Sequence, residues 1–239
     1  MAEIFIESCL DTMSRMQDDS VDLVITSPPY NMNLRINKGK YCSRQIVKEL
    51  STKYEDFPDN MPIDEFYEFH KQVINELLRV SNLIFYNIQI VTGSKKAFFK
   101  LIGDFSDNLK EIIVWDKGHG QPAIKEQVLN RRSELLLVFE KDYPISRQFK
   151  TATFKRGTLD DIWLIKREHK KGINHGATFP EKLVEIIIEN FSQKGNIIYD
   201  PFLGTGTTAF VANKLGRDYI GSEISPKYAE IAIERIANG

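Results

Sequence analysis

The chain has 239 residues, of which 42% are hydrophobic, and its 32 Lys and Arg against 33 Asp and Glu give a formal net charge of −1. This predicts one α/β domain over residues 1–239 with a single sizeable core. No apolar run reaches the roughly 18 residues that span a bilayer, and no signal-peptide pattern is present, so a cytoplasmic protein without membrane contact is expected. Cys9 and Cys42 stand in no C-x-x-C spacing, which argues against a disulfide framework and a structural metal.

Charge is distributed unevenly along the chain. Residues 31–54, 117–132 and 141–175 together carry +13, and the remainder carries −14. A basic face on an acidic scaffold predicts a polyanionic partner, with solvated basic loops as the alternative. Residues 37–48 and 117–125, rich in Gly and Lys, are predicted to be mobile loops.

The first elements are a short strand at 4–6, a helical turn at 10–16 and an apolar strand at 21–26. The apolar strand ends at Ser27-Pro28-Pro29-Tyr30, because neither proline donates a ladder hydrogen bond and each restricts the residue before it. A rigid loop therefore follows the carboxyl end of a strand, where open α/β sheets keep their active sites.

This loop carries groups that suit an exocyclic amine. The Ser27 hydroxyl and the Pro28 carbonyl can accept the amino hydrogens of adenine or cytosine and draw the nitrogen toward tetrahedral geometry. Tyr30 offers a ring on which an extruded base can stack. The alternative is a strand-terminating turn with an anchoring tyrosine.

The middle of the chain predicts further alternation of helices and strands. Residues 63–80 have apolar side chains at helical spacing, and residues 82–91 follow as a strand. A helix at 95–105, strands at 111–115 and 134–140 that pair with each other, and a helix at 181–191 complete this part of the core.

A strand at 196–200, a glycine-bearing turn, a helix at 209–215 and a strand at 217–223 form a nucleotide-binding βαβ pattern. The third glycine of a dinucleotide fold is missing, and Asp200 at the strand end would repel phosphate. Asp200 would instead attract, through water, the cationic amino-acid end of S-adenosylmethionine. Glu223, about 20 residues after the turn, would accept hydrogen bonds from both ribose hydroxyls. An ordinary tight turn is the alternative.

Together, Thr26-Ser-Pro-Pro-Tyr-Asn31 and Asp200-Pro-Phe-x-Gly-x-Gly-Thr207 resemble the amino-group DNA methyltransferases. The Pro-Pro-Tyr loop precedes the cofactor loop, as in the circularly permuted β class, which methylates adenine N6 or cytosine N4. The resemblance covers nearly the whole chain. It implies a Rossmann-like, circularly permuted methyltransferase fold, with a mostly parallel sheet and one antiparallel strand near the edge.

The same resemblance implies the site residues. The segment from His175 to Glu181 is similar to the family's His-x-Ala-x-Phe-Pro-Glu motif, in which the phenylalanine contacts the cofactor. Because a lone histidine is usually structural, His175 is expected to orient the loop. Asp11 stands where the family has an acid near the cofactor adenine, although the surrounding pattern is degraded. The catalytic residues expected are Ser27, Pro28, Pro29 and Tyr30. The cofactor-binding residues expected are Asp11, Phe179, Pro180, Asp200, Phe202, Gly204, Gly206, Thr207 and Glu223.

By this resemblance the chain flips a base from double-stranded DNA and transfers a methyl group from S-adenosylmethionine by direct in-line attack. Segments 31–60, 117–132 and 141–160 are expected to contact the DNA, since the usual target-recognition region is very short here. A cognate restriction endonuclease and a homodimer are further expected partners.

The expected identity of the methylated base depends on Ser27. The family commonly has Ser here in cytosine-N4 enzymes and Asp or Asn in adenine enzymes, so cytosine N4 is favoured and adenine N6 is the alternative. Two other hypotheses account for part of the pattern. One is methylation of RNA or of a protein amide, and the other is a non-catalytic nucleic-acid-binding module with a relic cofactor pocket.

Overall fold

The computed structural model describes residues 2–31, 34–37, 40–43, 60–121, 126–142, 146–166 and 179–238, with the backbone alone at 34–37, 40–43 and 121. The strands of this part of the chain are β1 (Ala2–Phe5), β2 (Leu23–Thr26), β3 (Leu34–Asn37), β4 (Lys40–Ser43), β5 (Leu83–Ile88), β6 (Leu109–Gln121), β7 (Arg131–Glu140), β8 (Ile162–Leu164), β9 (Ile197–Asp200) and β10 (Asp218–Ser222). The helices are α1 (Cys9–Arg15), α2 (Ile63–Val80), α3 (Lys95–Asp104), α4 (Glu181–Phe191), α5 (Thr207–Lys214) and α6 (Pro226–Ala237). Within these residues no helix is long and apolar enough to cross a membrane.

Eight strands form one sheet in the order β1-β10-β9-β2-β5-β7-β6-β8. Every strand runs in the same direction except β7, which is antiparallel to both β5 and β6. The predicted fold class, a mostly parallel sheet with one antiparallel strand, is confirmed. Strands β3 and β4 form a separate antiparallel pair.

Helices cover both faces of the sheet because successive strand residues point to opposite sides. On one face Val24 and Ile84 pack with side chains of α1, α2 and α3. On the other face Ile25 and Phe85 pack with side chains of α4 and α5. The central strands are therefore apolar on both sides, as their continuous hydrophobic runs predict.

The circular permutation is visible in the sheet. Strand β2, from the start of the chain, pairs in parallel with β9, from its end, and Leu23 stands opposite Ile198. Both strands finish at the same edge of the sheet. The loop that begins at Ser27 and the turn that follows Asp200 are thus brought together although more than 170 residues separate them.

Several bounds follow the sequence closely, such as 63–80 for α2 and 181–191 for α4. The loop prediction for 37–48 and 117–125 is wrong where the structure describes these residues, since 40–43 lie in β4 and 117–121 in β6. Cross-strand pairing overrides the glycine content, because Gln121 pairs with Arg131 after an irregularity in the register that begins at Asp116. Helix α6 was not predicted.

Candidate active site

The loop after β2 has one partly exposed polar residue, and the residues that follow it are buried. Ser27 is partly exposed, whereas Pro28, Pro29 and Tyr30 are buried. Tyr30 retains only 5% of its exposure and packs in the core beside α2. The Ser27 hydroxyl is therefore available to a ligand, and little of the Tyr30 ring is.

A buried polar network lies beneath this loop. The Ser27 and Tyr30 hydroxyl oxygens are 2.6 Å apart, and the Tyr30 hydroxyl donates to Glu134 Oε2 at 3.2 Å. Asn87 Nδ2 donates to the same carboxylate oxygen at 2.8 Å and also to the Tyr30 oxygen. Lys117 Nζ lies 3.0 Å from Glu134 Oε1. Residues from β5, β6 and β7 thus support the loop that follows β2.

A second set of contacts holds the back of the loop. His70 in α2 is fully buried, and its Nδ1 lies 2.5 Å from the Tyr86 hydroxyl. Burial lowers the pKa of His70 to about 3, although the Pro29 carbonyl opposes this shift. Asn31 takes a positive φ of 55° and donates to the Met61 carbonyl at 2.8 Å. The neutral histidine and the asparagine fix the backbone on either side of Tyr30.

Asp200 joins the two halves of the site. Thr26 Oγ1, in the residue before Ser27, donates to Asp200 Oδ1 at 2.8 Å, and Thr208 Oγ1 donates to Oδ2 at 2.6 Å. Burial raises the pKa of Asp200 to about 6, and the hydrogen bonds from Thr208, Thr26 and the Phe202 amide limit the rise. A carboxylate is therefore kept out of water directly between the two loops.

The turn after β9 leaves space above Gly204. Gly204 has φ +54°, and an added Cβ would meet only the Phe202 carbonyl oxygen, at 4.0 Å. Gly206 has φ +79°, and an added Cβ would lie 2.7 Å from the Ala232 Cβ of α6. The first glycine thus leaves room for a ligand, and the second lets α6 approach the start of α5.

Glu223 faces the same turn. Its Oε2 accepts from the Gly204 amide at 2.7 Å, and its Oε1 accepts from the Ser225 amide at 2.9 Å. A carboxylate offers about four lone-pair sites. Two amides therefore orient the side chain, and a carboxylate can accept more than two hydrogen bonds.

The other predicted cofactor residues lie around this turn. Phe202 is half-buried, with its ring centroid 6.1 Å from that of Phe69. Thr207 is buried, and its hydroxyl accepts from Arg235 at 2.8 Å. Arg235 also pairs with Glu181 at 2.8 Å, which ties the start of α4 to the turn. Pro180 is the N-cap of α4, and Phe179 before it is half-buried. His175 lies outside the described residues.

Asp11 is exposed in the first turn of α1. Glu7, which precedes that helix, accepts from the Thr12 hydroxyl at 2.7 Å, and the hydrogen bond from Arg15 lowers the pKa of Glu7. The Glu223 amide donates to the Phe5 carbonyl at 3.0 Å, so the end of β1 lies beside the end of β10. Glu7 is a second acid at this edge, and the role of Asp11 stays a prediction.

The basic segments lie at different edges of the sheet. Arg131 is exposed at the amino end of β7. Because β7 is antiparallel to β5, this end lies at the edge of the sheet that carries Ser27. Residues 146–154 lie at the opposite edge: Thr153 bonds the end of α4, and Arg147 lies 3.5 Å from Glu111 near the start of β6. Lys117 is buried rather than exposed in a loop.

The sequence interpretation missed Thr26, Asn87, Glu134 and Thr208 as parts of the site. Each is polar and adjoins an apolar run, and that is the available signal. Asn87 stands near the end of β5 and Glu134 directly before Leu135–Phe139. A buried polar residue beside an apolar strand calls for a partner, but the partner comes from another strand and is not visible in sequence.

The chain is similar to known DNA methylases. The sequence model described as DNA methylase (N6_N4_Mtase) matches residues 21–234. The Type II methyltransferase M.BglII of Bacillus subtilis is 29% identical over 262 aligned residues, which cover 94% of this chain and 66% of M.BglII. This chain therefore spans somewhat less than two thirds of that relative.

Two solved structures share the fold. PvuII DNA methyltransferase (cytosine-N4-specific) superposes with a TM-score of 0.75 at 16% identity, covering 98% of this chain and 86% of that one. The complex of M1.HpyAVI with SAM gives a TM-score of 0.64 at 19% identity, covering 98% of this chain and 100% of that one. Because the family match extends over residues 21–234, the chain belongs to the N6/N4 DNA methylase family.

Proposed function

We propose that this chain transfers a methyl group from S-adenosylmethionine to the exocyclic amine of a base flipped out of double-stranded DNA. The observation that carries the proposal is the hydrogen bond of 2.8 Å from Thr26 to Asp200. It makes the predicted catalytic loop and the predicted cofactor turn one connected site at one edge of the sheet.

S-adenosylmethionine is the methyl donor of this transfer, and the groups around the turn suit it. Gly204 has open space in which a ligand can approach the backbone. Glu223 is oriented by two amides, and in this proposal its carboxylate accepts from the ribose hydroxyls. Asp200 supplies negative charge near the cationic amino-acid end. Phe179, Pro180 and Phe202 line the same cofactor site in this proposal, and Asp11 lies near the adenine.

The chain's own residues then hold the acceptor. Ser27 Oγ and the Pro28 carbonyl accept the two amino hydrogens, so that the nitrogen lone pair is directed at the methyl group. Pro29 keeps the loop rigid, and the small exposed part of Tyr30 contacts the extruded base. The reaction is a single in-line displacement in which the protein supplies position and electrostatics.

Cytosine N4 is the proposed acceptor, because Ser27 stands where the family's cytosine enzymes have serine. Adenine N6 is the competing acceptor, since a hydroxyl can accept an amino hydrogen from either base. An RNA or protein amide substrate and a non-catalytic binding module are the other outcomes of the test.

DNA contact is proposed for 31–60, 117–132 and 141–160, and Arg131 of the second segment is exposed at the catalytic edge. A cognate restriction endonuclease and a homodimer belong to the same proposal. The endonuclease partner is tested by methylation-dependent protection of DNA from cleavage. The homodimer is tested by sedimentation of the purified protein.

The function is tested by expressing the chain in a methylation-deficient host and analysing digested plasmid DNA by mass spectrometry. N4-methylcytosine is expected, and N6-methyladenine alone would overturn the choice of base. Ser27→Ala should slow methyl transfer while S-adenosylmethionine affinity stays the same, because the hydroxyl acts on the acceptor. DNA without either methylated base, despite cofactor binding in calorimetry, would point to the binding module.

A further inference from the structure

Glu134 and Lys117 form a buried ion pair directly behind the catalytic loop. Their side chains retain 6% and 1% of their exposure, and Lys117 Nζ lies 3.0 Å from Glu134 Oε1. As the anion of this ion pair, the Glu134 carboxylate carries no hydrogen. An ionised carboxylate only accepts hydrogen bonds. Glu134 is therefore a fixed acceptor.

This fixed acceptor sets the direction of the hydrogen bonds that lead to Ser27. The Tyr30 hydroxyl, 3.2 Å from Glu134 Oε2, must donate its single hydrogen to the carboxylate. The Tyr30 oxygen is then an acceptor, so the Ser27 hydroxyl, 2.6 Å away, must donate to it. Asn87 turns its NH₂ group to the same carboxylate at 2.8 Å. The hydrogen of Ser27 points into the protein. One lone pair of its oxygen faces Asn87 Nδ2 at 3.4 Å, and the other remains for a ligand.

We propose that Glu134, held by Lys117, is a positioning residue that keeps Ser27 Oγ presented to the substrate as a hydrogen-bond acceptor. The inference rests on the proposed function, in which that oxygen receives an amino hydrogen. It extends the site to two strands, β6 and β7, that the catalytic and cofactor loops do not belong to. Glu134 does not touch the substrate and acts through Tyr30.

Glu134→Gln reverses the direction of these hydrogen bonds while conserving the shape of the side chain. Lys117 takes the amide oxygen, because an ammonium group only donates, so the amide NH₂ faces Tyr30. The Tyr30 hydroxyl then accepts from the amide and donates to Ser27. Ser27 Oγ loses a lone pair to this bond and offers its own hydrogen toward the substrate.

The chain offers a matched control on the same two strands. Glu140 in β7 and Lys110 in β6 form a second buried ion pair, with exposed fractions of 3% and 0%. Glu140 stands opposite Leu83 at the start of β5, and Glu134 lies six residues away near the catalytic edge. Six strand residues span roughly 20 Å. Glu140→Gln therefore disturbs a similar pair far from the site.

The test is a single-turnover assay that follows labelled methyl transfer from saturating S-adenosylmethionine to unmethylated plasmid DNA. Glu134→Gln should lower the rate constant on the order of 10- to 100-fold, the effect of one charge-assisted hydrogen bond, with cofactor affinity unchanged in calorimetry. Glu140→Gln should lower the melting temperature and keep the rate. Tyr30→Phe keeps the ring but interrupts the chain, so combining it with Glu134→Gln should cause no further loss.

Wild-type rate in Glu134→Gln, or losses that multiply in the double variant, would overturn the inference. If Glu134→Gln does not fold, Tyr30→Phe decides, since an unchanged rate there contradicts the same chain of bonds. Failure of the wild-type protein to methylate DNA overturns the proposed function instead, so the two failures are distinguishable.

Discussion

At the scale of single residues, the site depends on carboxylates held in unusual surroundings. Asp200 is fully buried, yet it accepts hydrogen bonds from two threonine hydroxyls and one amide. Glu223 remains half-buried and accepts from two amides. Asp200 is therefore shielded from water, whereas Glu223 is partly accessible, and the consequence for each acid can be measured.

The folded protein should lose stability as Asp200 ionises. Its pKa of about 6 in the folded state exceeds the ordinary value of 3.8, so the folded state binds the proton more tightly. The free energy of unfolding should therefore fall by about 3 kcal/mol from this group as pH rises from roughly 4 to 7. Asp200→Asn should remove this decline in urea unfolding measured across that range. Exposed Asp107→Asn is the control, and parallel curves for wild type and Asp200→Asn would contradict the prediction.

Glu223→Ala should weaken S-adenosylmethionine binding by about 1.5–3 kcal/mol, the range for a hydrogen bond to a charged group. Calorimetry measures this loss directly. The variant also frees the Gly204 amide, so Glu223→Gln, which keeps one acceptor oxygen, should recover part of the affinity. Equal affinity in wild type and Glu223→Ala would remove Glu223 from the cofactor site.

At the scale of elements, the turn between β9 and α5 combines binding with packing. Its two glycines both have positive φ but meet different neighbours. Gly204 borders open space, whereas a Cβ added at Gly206 would meet the backbone and Cβ of Ala232 in α6. The G-x-G pattern therefore serves two separate physical needs.

Alanine at these two positions should produce different losses. Gly206→Ala forces a Cβ to within 2.7 Å of Ala232, so α6 must shift and the melting temperature should drop strongly. Gly204→Ala adds only the strain of a left-handed residue, about 1–2 kcal/mol, but fills the space proposed for the cofactor. Thermal unfolding and calorimetry separate the effects. If Gly204→Ala binds S-adenosylmethionine normally, the cofactor does not approach this backbone.

At the scale of the whole molecule, the candidate site lies at one edge of the sheet, and basic residues lie at both edges. Asp200 is the last residue of β9, and Ser27 and Glu223 directly follow the parallel strands β2 and β10. Arg131 reaches the same edge because β7 runs in the opposite direction. Charge on residues 146–154 lies at the other edge, next to the end of α4.

The effect of a charge reversal on DNA affinity should therefore depend on the edge of the sheet at which the residue lies. Arg131→Glu should weaken binding and reduce the slope of log affinity against log salt by about 1, the value for one lost phosphate contact. Arg147→Glu, at the opposite edge, should change neither quantity appreciably. Fluorescence anisotropy with labelled duplex DNA at several salt concentrations measures both. A larger effect at Arg147 would mean that DNA approaches the other edge.

The sequence by itself determined the order of most elements and the two loops of the site. Apolar runs and helical spacing predicted the central strands and α2 because burial imposes those periods locally. Ser27-Pro28-Pro29-Tyr30 and the glycine turn were recognisable because proline and glycine restrict the backbone within a few residues. Assignment of the family followed from these two motifs and their order in the chain.

Only the tertiary structure decided how the two loops are connected and supported. The Thr26–Asp200 hydrogen bond spans 174 residues, and the ion pair of Lys117 with Glu134 joins two strands of one hairpin. Local patterns cannot reveal such partners, because a buried polar group is satisfied by whichever side chain the sheet register brings opposite it. Lys117 looked like a residue of a basic loop and proved to be buried, since pairing of β6 with β7 extends beyond the apolar run that predicted the strand.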